Sequence, residues 1–281
     1  SQFRTTTVMG LPIFAEERSV WNEWLIRALS QAQSSKTAHV PALVMTPNAE
    51  QFVQASSDSS FWHSLSQADV LLPDGAGLVL AARLLFGADA IADRLAGADL
   101  LSDVISQARA QQLKVLVVGG RDYARPNQFG HATLQVQLPD GSSSALDWTP
   151  GYFDIAHPTP TEHATVRWVI NHLKPDVVLV AFGAPWQEAW AIRHQELLAS
   201  VGTRLVMVIG GAMDFWLKRV PRAPIWMQQL GLEWLFRLII EPWRWQRQLR
   251  LVQFGWLVAT GALRKTPVAA MTASKDALWR D

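Results

Sequence analysis

Short apolar, β-branched runs recur along this chain, and between them apolar residues return at helical spacing. That alternation marks βαβ units and a mostly parallel sheet. Strands are predicted over residues 5–11, 40–46, 70–72, 113–118, 177–182 and 205–209. The last three are apolar almost throughout, as strands buried on both faces must be. Helices are predicted over 15–34, where Trp21, Trp24 and Leu25 share a face, from 49 onward, and over 61–67. Further helices run from the Pro73-Asp74-Gly75 turn to 86, over 99–110 and over 186–199. Residues 120–159, with Pro126, Pro139-Asp140-Gly141, Ser142 to Ser144 and Pro150, form the least regular stretch. No repeat or low-complexity segment interrupts the pattern.

The last quarter departs from it. From 218 to 265 nine basic residues stand against two acidic ones, a local net charge of +7 in a chain whose total is +1. Five tryptophans (Trp226, Trp234, Trp243, Trp245, Trp256) share this window. Arginine binds phosphate bidentately and tryptophan prefers the boundary between water and lipid, so the segment reads as a surface for anionic, membrane-bound material. Core tryptophans under a solvated basic face account for the same composition. Leu249, Val252, Trp256 and Leu263 fall at near-helical spacing beside Arg244, Arg247 and Arg250, with Pro242 marking a bend before them. The expected division is residues 1–215 as the α/β domain and 216–281 as a helical, membrane-proximal appendage, without which a chain ending near Arg237 should still fold.

Composition narrows the class. The chain has 281 residues, 49% hydrophobic and 17% charged, enough for one large α/β domain or two small ones. It contains no cysteine, which removes disulfides, thiolate metal sites and cysteine nucleophiles. No apolar run reaches the roughly 20 residues that span a bilayer, and the N-terminus shows no signal-peptide pattern. The chain therefore reads as a cytosolic protein that rests on a membrane. Its seven histidines show no close metal-ligand spacing and read as structural or surface residues. Nothing outside the tail offers the basic stripe that nucleic acid requires.

Three polar clusters follow predicted strands, where open α/β sheets place their ligands. They are Thr46-Pro47-Asn48, Pro73-Asp74-Gly75-Ala76-Gly77 and Gly183-Ala184-Pro185-Trp186-Gln187-Glu188. Each sets small residues and backbone N–H groups at a helix start, a geometry suited to phosphate. Asp74, at a strand end before Gly75, is well placed as a general base. Asp74 and Asn48 read equally as helix N-caps, and Gln187 as a helix surface residue.

In order, these clusters, Arg94-Leu95-Ala96-Gly97-Ala98-Asp99, Gly210-Gly211-Ala212-Met213-Asp214-Phe215, Arg222-Ala223-Pro224, Gly231-Leu232-Glu233-Trp234 and Glu241-Pro242 with Arg244-Trp245 resemble the WecG/TagA/CpsF glycosyltransferases (glycosyltransferase family 26). The resemblance covers residues 5–255. It implies a Rossmann-like fold with a C-terminal appendage near the membrane. It also implies inverting transfer from a UDP-sugar to a polyprenyl-diphosphate-linked saccharide at the cytoplasmic face of the inner membrane, in surface polysaccharide or wall polymer assembly. Asp74 would be the base. Thr46, Asn48, Gly75, Gly77 and Gln187 would line the substrate pocket, and Arg222, Arg237, Arg244 and Arg247 would come from the appendage. Trp186 stands where the family often has a basic residue. No Asp-x-Asp occurs in the chain, so no metal and no cofactor are expected, and arginines or backbone N–H groups must offset the diphosphate charge.

The implied partners are the UDP-sugar, the lipid-linked acceptor and an anionic membrane surface, not nucleic acid, with homo-oligomer formation left open. A nicotinamide-dependent oxidoreductase is disfavoured, because no strand is followed by Gly-x-Gly-x-x-Gly with an acidic residue downstream. A non-catalytic, nucleotide- or membrane-surface-binding protein of the same fold is the remaining alternative, and it leaves the polar strand-end loops unexplained.

Overall fold

The computed structural model describes residues 3–30, 40–138, 140–229, 231–242 and 245–267. In chain order its strands are β1 (Thr5–Val8), β2 (Leu11–Phe14), β3 (Ala42–Met45), β4 (Val70–Leu71), β5 (Val115–Gly119), β6 (Ala132–Gln137), β7 (Ser143–Thr149), β8 (Val177–Ala181) and β9 (Leu205–Val208). These nine, among the described residues, form one sheet in the order β1-β2-β4-β3-β9-β8-β5-β7-β6. Every neighbouring pair from β2 across to β7 is parallel. One antiparallel strand closes each edge, β1 on β2 and β6 on β7.

The fold is α/β and Rossmann-like, with helices on both faces. Successive side chains of a strand point to opposite faces, and the central strands are apolar at every position because both faces are covered. Val117, Leu179 and Met207 pack on one side against α1 (Arg18–Ser30) and α5 (Gly97–Ala110). Val118, Val180 and Val208 pack on the other, with α2 (Ala49–Ser57), α3 (Ser59–Ser66), α4 (Ala76–Phe86), α6 (Pro160–Leu173), α7 (Trp186–Arg193) and α8 (Gln195–Ser200).

Several predicted elements differ in detail. The single strand expected over 5–11 is a hairpin, because Met9 and Gly10 both take positive φ (52° and 79°) and reverse the chain between Val8 and Leu11. Helix α1 is shorter than the stretch 15–34, whose residues 31–34 lie outside the described residues. The helix expected over 186–199 breaks at His194, whose ring stacks on Trp190 with centroids 4.2 Å apart. The irregular stretch 120–159 contains the edge hairpin β6–β7, where Leu134, Val136, Leu146 and Trp148 alternate inward. Helix α6 follows it, opened by a capping box between Thr159 and Glu162.

Four further helices follow: the short α9 (Ala212–Trp216), α10 (Ile225–Gln229) and α11 (Glu233–Ile240), and the longer α12 (Trp245–Ala259). The break expected near Pro242 falls between α11 and α12. Helix α12 packs along α2 and buries Phe254 in the same apolar cluster as the strands. Leu249, Val252 and Trp256 are 53%, 73% and 70% exposed and, with Trp245, form one outward stripe. Leu263 does not continue it. Gly261 turns the chain in a left-handed conformation, Leu263 is fully buried, and its carbonyl accepts from the Met9 N–H at 2.7 Å. Cutting near Arg237 would therefore remove Phe254 and Leu263 from that cluster.

Phe254→Ala should cost about 3 kcal/mol of stability, as deletion of a buried aromatic does. Val252→Ala, at an exposed position of the same helix, should change stability by less than about 0.5 kcal/mol. Urea unfolding of the two variants checks this; equal, small effects would mean that α12 is not docked on α2.

Candidate active site

Parallel strands bring their carboxyl ends to one edge, and there β3, β4, β8 and β9 open onto a cleft of about 900 Å³. Asp74 is fixed on its floor by backbone bonds. Its own N–H donates to the Pro47 carbonyl (3.1 Å), and the Leu95 N–H donates to the Pro73 carbonyl (3.1 Å). Gly75 takes φ +87° as the N-cap of α4 and makes no side-chain cap, so Asp74 is not the capping residue of that helix. Its carboxylate instead accepts from the Gly97 N–H at 3.4 Å. A methyl group on Gly97 would lie 3.8 Å from Thr46 Oγ1 and 3.9 Å from Asp74 Oδ2, so Thr46, Asp74 and the start of α5 surround one point. Burial pushes the Asp74 carboxyl above its ordinary range, and the Gly97 N–H and the charge of Arg94 oppose that rise only in part.

The N-cap reading does hold for Asn48. Its Oδ1 accepts from the Gln51 N–H (3.1 Å) while Gln51 Oε1 accepts from the Asn48 N–H (3.0 Å), a closed capping box at the start of α2. Gln51 then reaches inward, its Nε2 donating to Glu188 Oε1 at 3.0 Å. The same oxygen accepts from Gln187 Nε2 (3.0 Å), and Gln187 Oε1 accepts from the N–H groups of Gly183 (3.2 Å) and Gly210 (3.0 Å). Gln187 is therefore a buried tie between the ends of β8 and β9, not a helix surface residue. Glu188, fully buried with Oε2 lacking any hydrogen-bond partner, is pushed up to about 7 by burial.

Arginines close the cleft from the appendage side. Arg237 on α11 donates from Nε to Glu241 Oε2 (2.8 Å) and lies over the Phe215 ring, 4.9 Å from its centroid. Arg222 pairs with Asp99 (2.6 Å) and approaches Glu233 (3.6 Å). Arg94 pairs with Glu233 and donates to the Gln228 carbonyl at 3.0 Å.

Thr46, Asn48, Asp74, Gly75, Gly77, Gln187, Arg222 and Arg237 thus line one cleft. Arg244 lies outside the described residues, and Arg247 is described as backbone only. Arg94, Gly97, Asp214 and Arg250 line the cleft as well and were not singled out as site residues by sequence. Arg94 stood inside a recognised block, but only the crossover to α5 shows that the block returns to Asp74.

Asp74 thus stands half-buried at the ends of the parallel strands of this Rossmann-like fold, with arginines among the residues that line the same cleft. The chain belongs to the family described as "Glycosyl transferase WecG/TagA/CpsF family", whose model matches residues 6–267. It is therefore a glycosyltransferase. Among curated proteins it is similar to the N-acetylglucosaminyldiphosphoundecaprenol N-acetyl-beta-D-mannosaminyltransferase of Bacillus subtilis (strain 168), with 28% identity over 222 residues, covering 78% of this chain and 79% of that protein.

The Glu188 network makes a pH prediction. The unfolded chain releases this proton near the ordinary 4.5, whereas the native protein holds it to about 7. Between those values the native state binds more protons, so this group's contribution to stability falls as pH rises from 4.5 to 7 and then levels. Glu188→Gln keeps an acceptor for Gln51 and Gln187 without the charge. It should gain stability over the native sequence at pH 8 and lose most of that gain at pH 5, read by urea unfolding at both values.

Proposed function

We propose that this glycosyltransferase moves a sugar from a UDP-sugar to a polyprenyl-diphosphate-linked saccharide, with inversion and without a metal ion, at the cytoplasmic face of the membrane. The observation that carries the reading is the Asp74 carboxylate, held at the strand ends beside Gly97, Thr46 and Arg94 with its proton affinity raised by burial. Asp74 takes the proton of the acceptor hydroxyl as that oxygen bonds to the donor's anomeric carbon. The bond from that carbon to the diphosphate breaks, and its electron pair leaves with UDP. Arg94, Arg222, Arg237 and Arg250 are the cations at hand for the departing charge, which accords with a sequence that lacks Asp-x-Asp. The activity for which the Bacillus relative is named supports an N-acetylhexosamine as the sugar moved and a diphosphoundecaprenol-linked N-acetylglucosamine as the acceptor.

The lipid-linked acceptor suits a protein that rests on the bilayer. Among the described residues no helix is long and apolar enough to cross a membrane. The α12 stripe of Trp245, Leu249, Val252 and Trp256, with Ile225 and Trp226 of α10, presents large apolar side chains outward, as an interfacial helix does.

Asp74→Asn should lower turnover by about 10²–10⁴-fold with UDP binding little changed. The native enzyme should lose activity as pH falls through a value above the ordinary carboxylate range, because the base must be ionised, and should keep its activity in excess chelator. UDP release with a short polyprenyl-diphosphate sugar reads all three; near-normal turnover of the Asp74 variant would remove the base assignment. Serine at Val252 and Trp256 together should weaken co-sedimentation with anionic vesicles while leaving unfolding unchanged.

A further inference from the structure

The cleft has two arms of different chemistry. One is the polar arm at the strand ends. The other runs between α4 and α12, where α4 contributes Leu80, Ala81 and Leu84, and α12 contributes Leu251, Gly255 and Val258. Leu80 and Leu84, one turn apart, are 61% and 69% exposed. Arg83 between them turns away, its Nε donating to the Ile91 carbonyl at 3.0 Å. A Cβ on Gly255 would meet nothing within 4 Å, so the α12 side of the arm is an open furrow.

The direction of this arm follows from its ends. Helix α4 leaves the strand ends at Gly75, while the chain just past α12 meets the Met9 N–H and the Leu85 carbonyl, through Leu263 and Arg264. The Met9–Gly10 turn lies where β2 begins, at the sheet's opposite edge. The arm therefore starts beside the polar floor, with Arg250 one turn ahead of Phe254, and descends between the two helices. At about 100° per residue, the lining face of α12 adjoins its exposed stripe of Leu249, Val252 and Trp256. A ligand in the arm would pass in order from base to arginines to apolar walls to the outer apolar surface.

We propose that this arm binds the first isoprene units of the acceptor lipid. The assignment rests on the transfer reading above and adds where the lipid goes. A hydroxyl-bearing sugar, a diphosphate and a hydrocarbon chain in line match the order of groups along the cleft. Nucleotide and sugar are too polar to use Leu80, Leu84 and the Gly255 furrow. The arm raises affinity for lipid-linked acceptors by apolar contact and draws the diphosphate into register with the arginines.

The test compares a GlcNAc-diphosphate acceptor carrying methyl with one carrying farnesyl, in the native chain, in Gly255→Leu and in the exposed pair Leu80→Ser with Leu84→Ser. The native enzyme should prefer the farnesyl acceptor at least tenfold in kcat/KM, mostly through KM. Both variants should reduce that preference at least fivefold. In parallel, calorimetry with farnesyl diphosphate and inorganic diphosphate should show a farnesyl advantage that both variants lose. No farnesyl preference in the native enzyme, or a preference that both variants retain, overturns the lipid arm and leaves the transfer reading standing. Transfer to neither acceptor, with no binding of farnesyl diphosphate, overturns both.

Discussion

Parallel pairing is the constraint from which the rest follows. Strands that run the same way need long crossovers, so β3, β4, β8 and β9 all finish at one edge and hand over to helices there. Prolines sharpen the handover. Pro47 and Pro73 follow the last ladder residues of β3 and β4, and neither has an N–H to extend the ladder. The chain is released into the loop, and the freed Pro47 carbonyl accepts from Asp74. The carboxylate is thus fixed by backbone geometry before any side chain contributes. The buried Gln51–Glu188–Gln187 cluster then locks α2 to the ends of β8 and β9. Backbone bonds and this buried cluster thus tie the cleft floor together, and the C-terminal helices supply part of its walls.

Those walls show why a charge count overstates a binding surface. The tail's excess of arginine suggests a broad positive field, yet Arg222 and Arg237 each sit against a carboxylate, Asp99 and Glu241, while the tail's Glu233 pairs with Arg94 before α5. Such pairs hold guanidinium groups in place at modest net energy. An incoming diphosphate would exchange partners with them and would not meet bare cations.

Much of this was legible in the sequence, and the failures have physical causes. The central strands declared themselves because burial on both faces demands unbroken apolar runs. The edge hairpin β6–β7 did not, because only one face is buried and Pro139-Asp140-Gly141 with three serines masks the alternation of Leu134, Val136, Leu146 and Trp148. The Met9–Gly10 reversal was hidden in a run apolar enough to pass for one strand. At the site, Asp74 could be named from its place after a strand. Gln187 and Glu188 could be named too, but not their inward role, since a polar pair opening a helix usually faces water. Leu263 looked like part of the α12 stripe until Gly261 turned it inward.

The bond between the Met9 N–H and the Leu263 carbonyl joins segments almost a full chain length apart. Contacts of such separation close late, because the loop entropy must be met before they contribute. During vectorial synthesis the ribosome delivers the sheet and its helices first, and the Met9 N–H waits for Leu263 to emerge. The outward stripe of α12 therefore takes shape on a core that already exists. A nascent chain would not offer that sticky face to chaperones or membranes until nearly all of its cleft had been built.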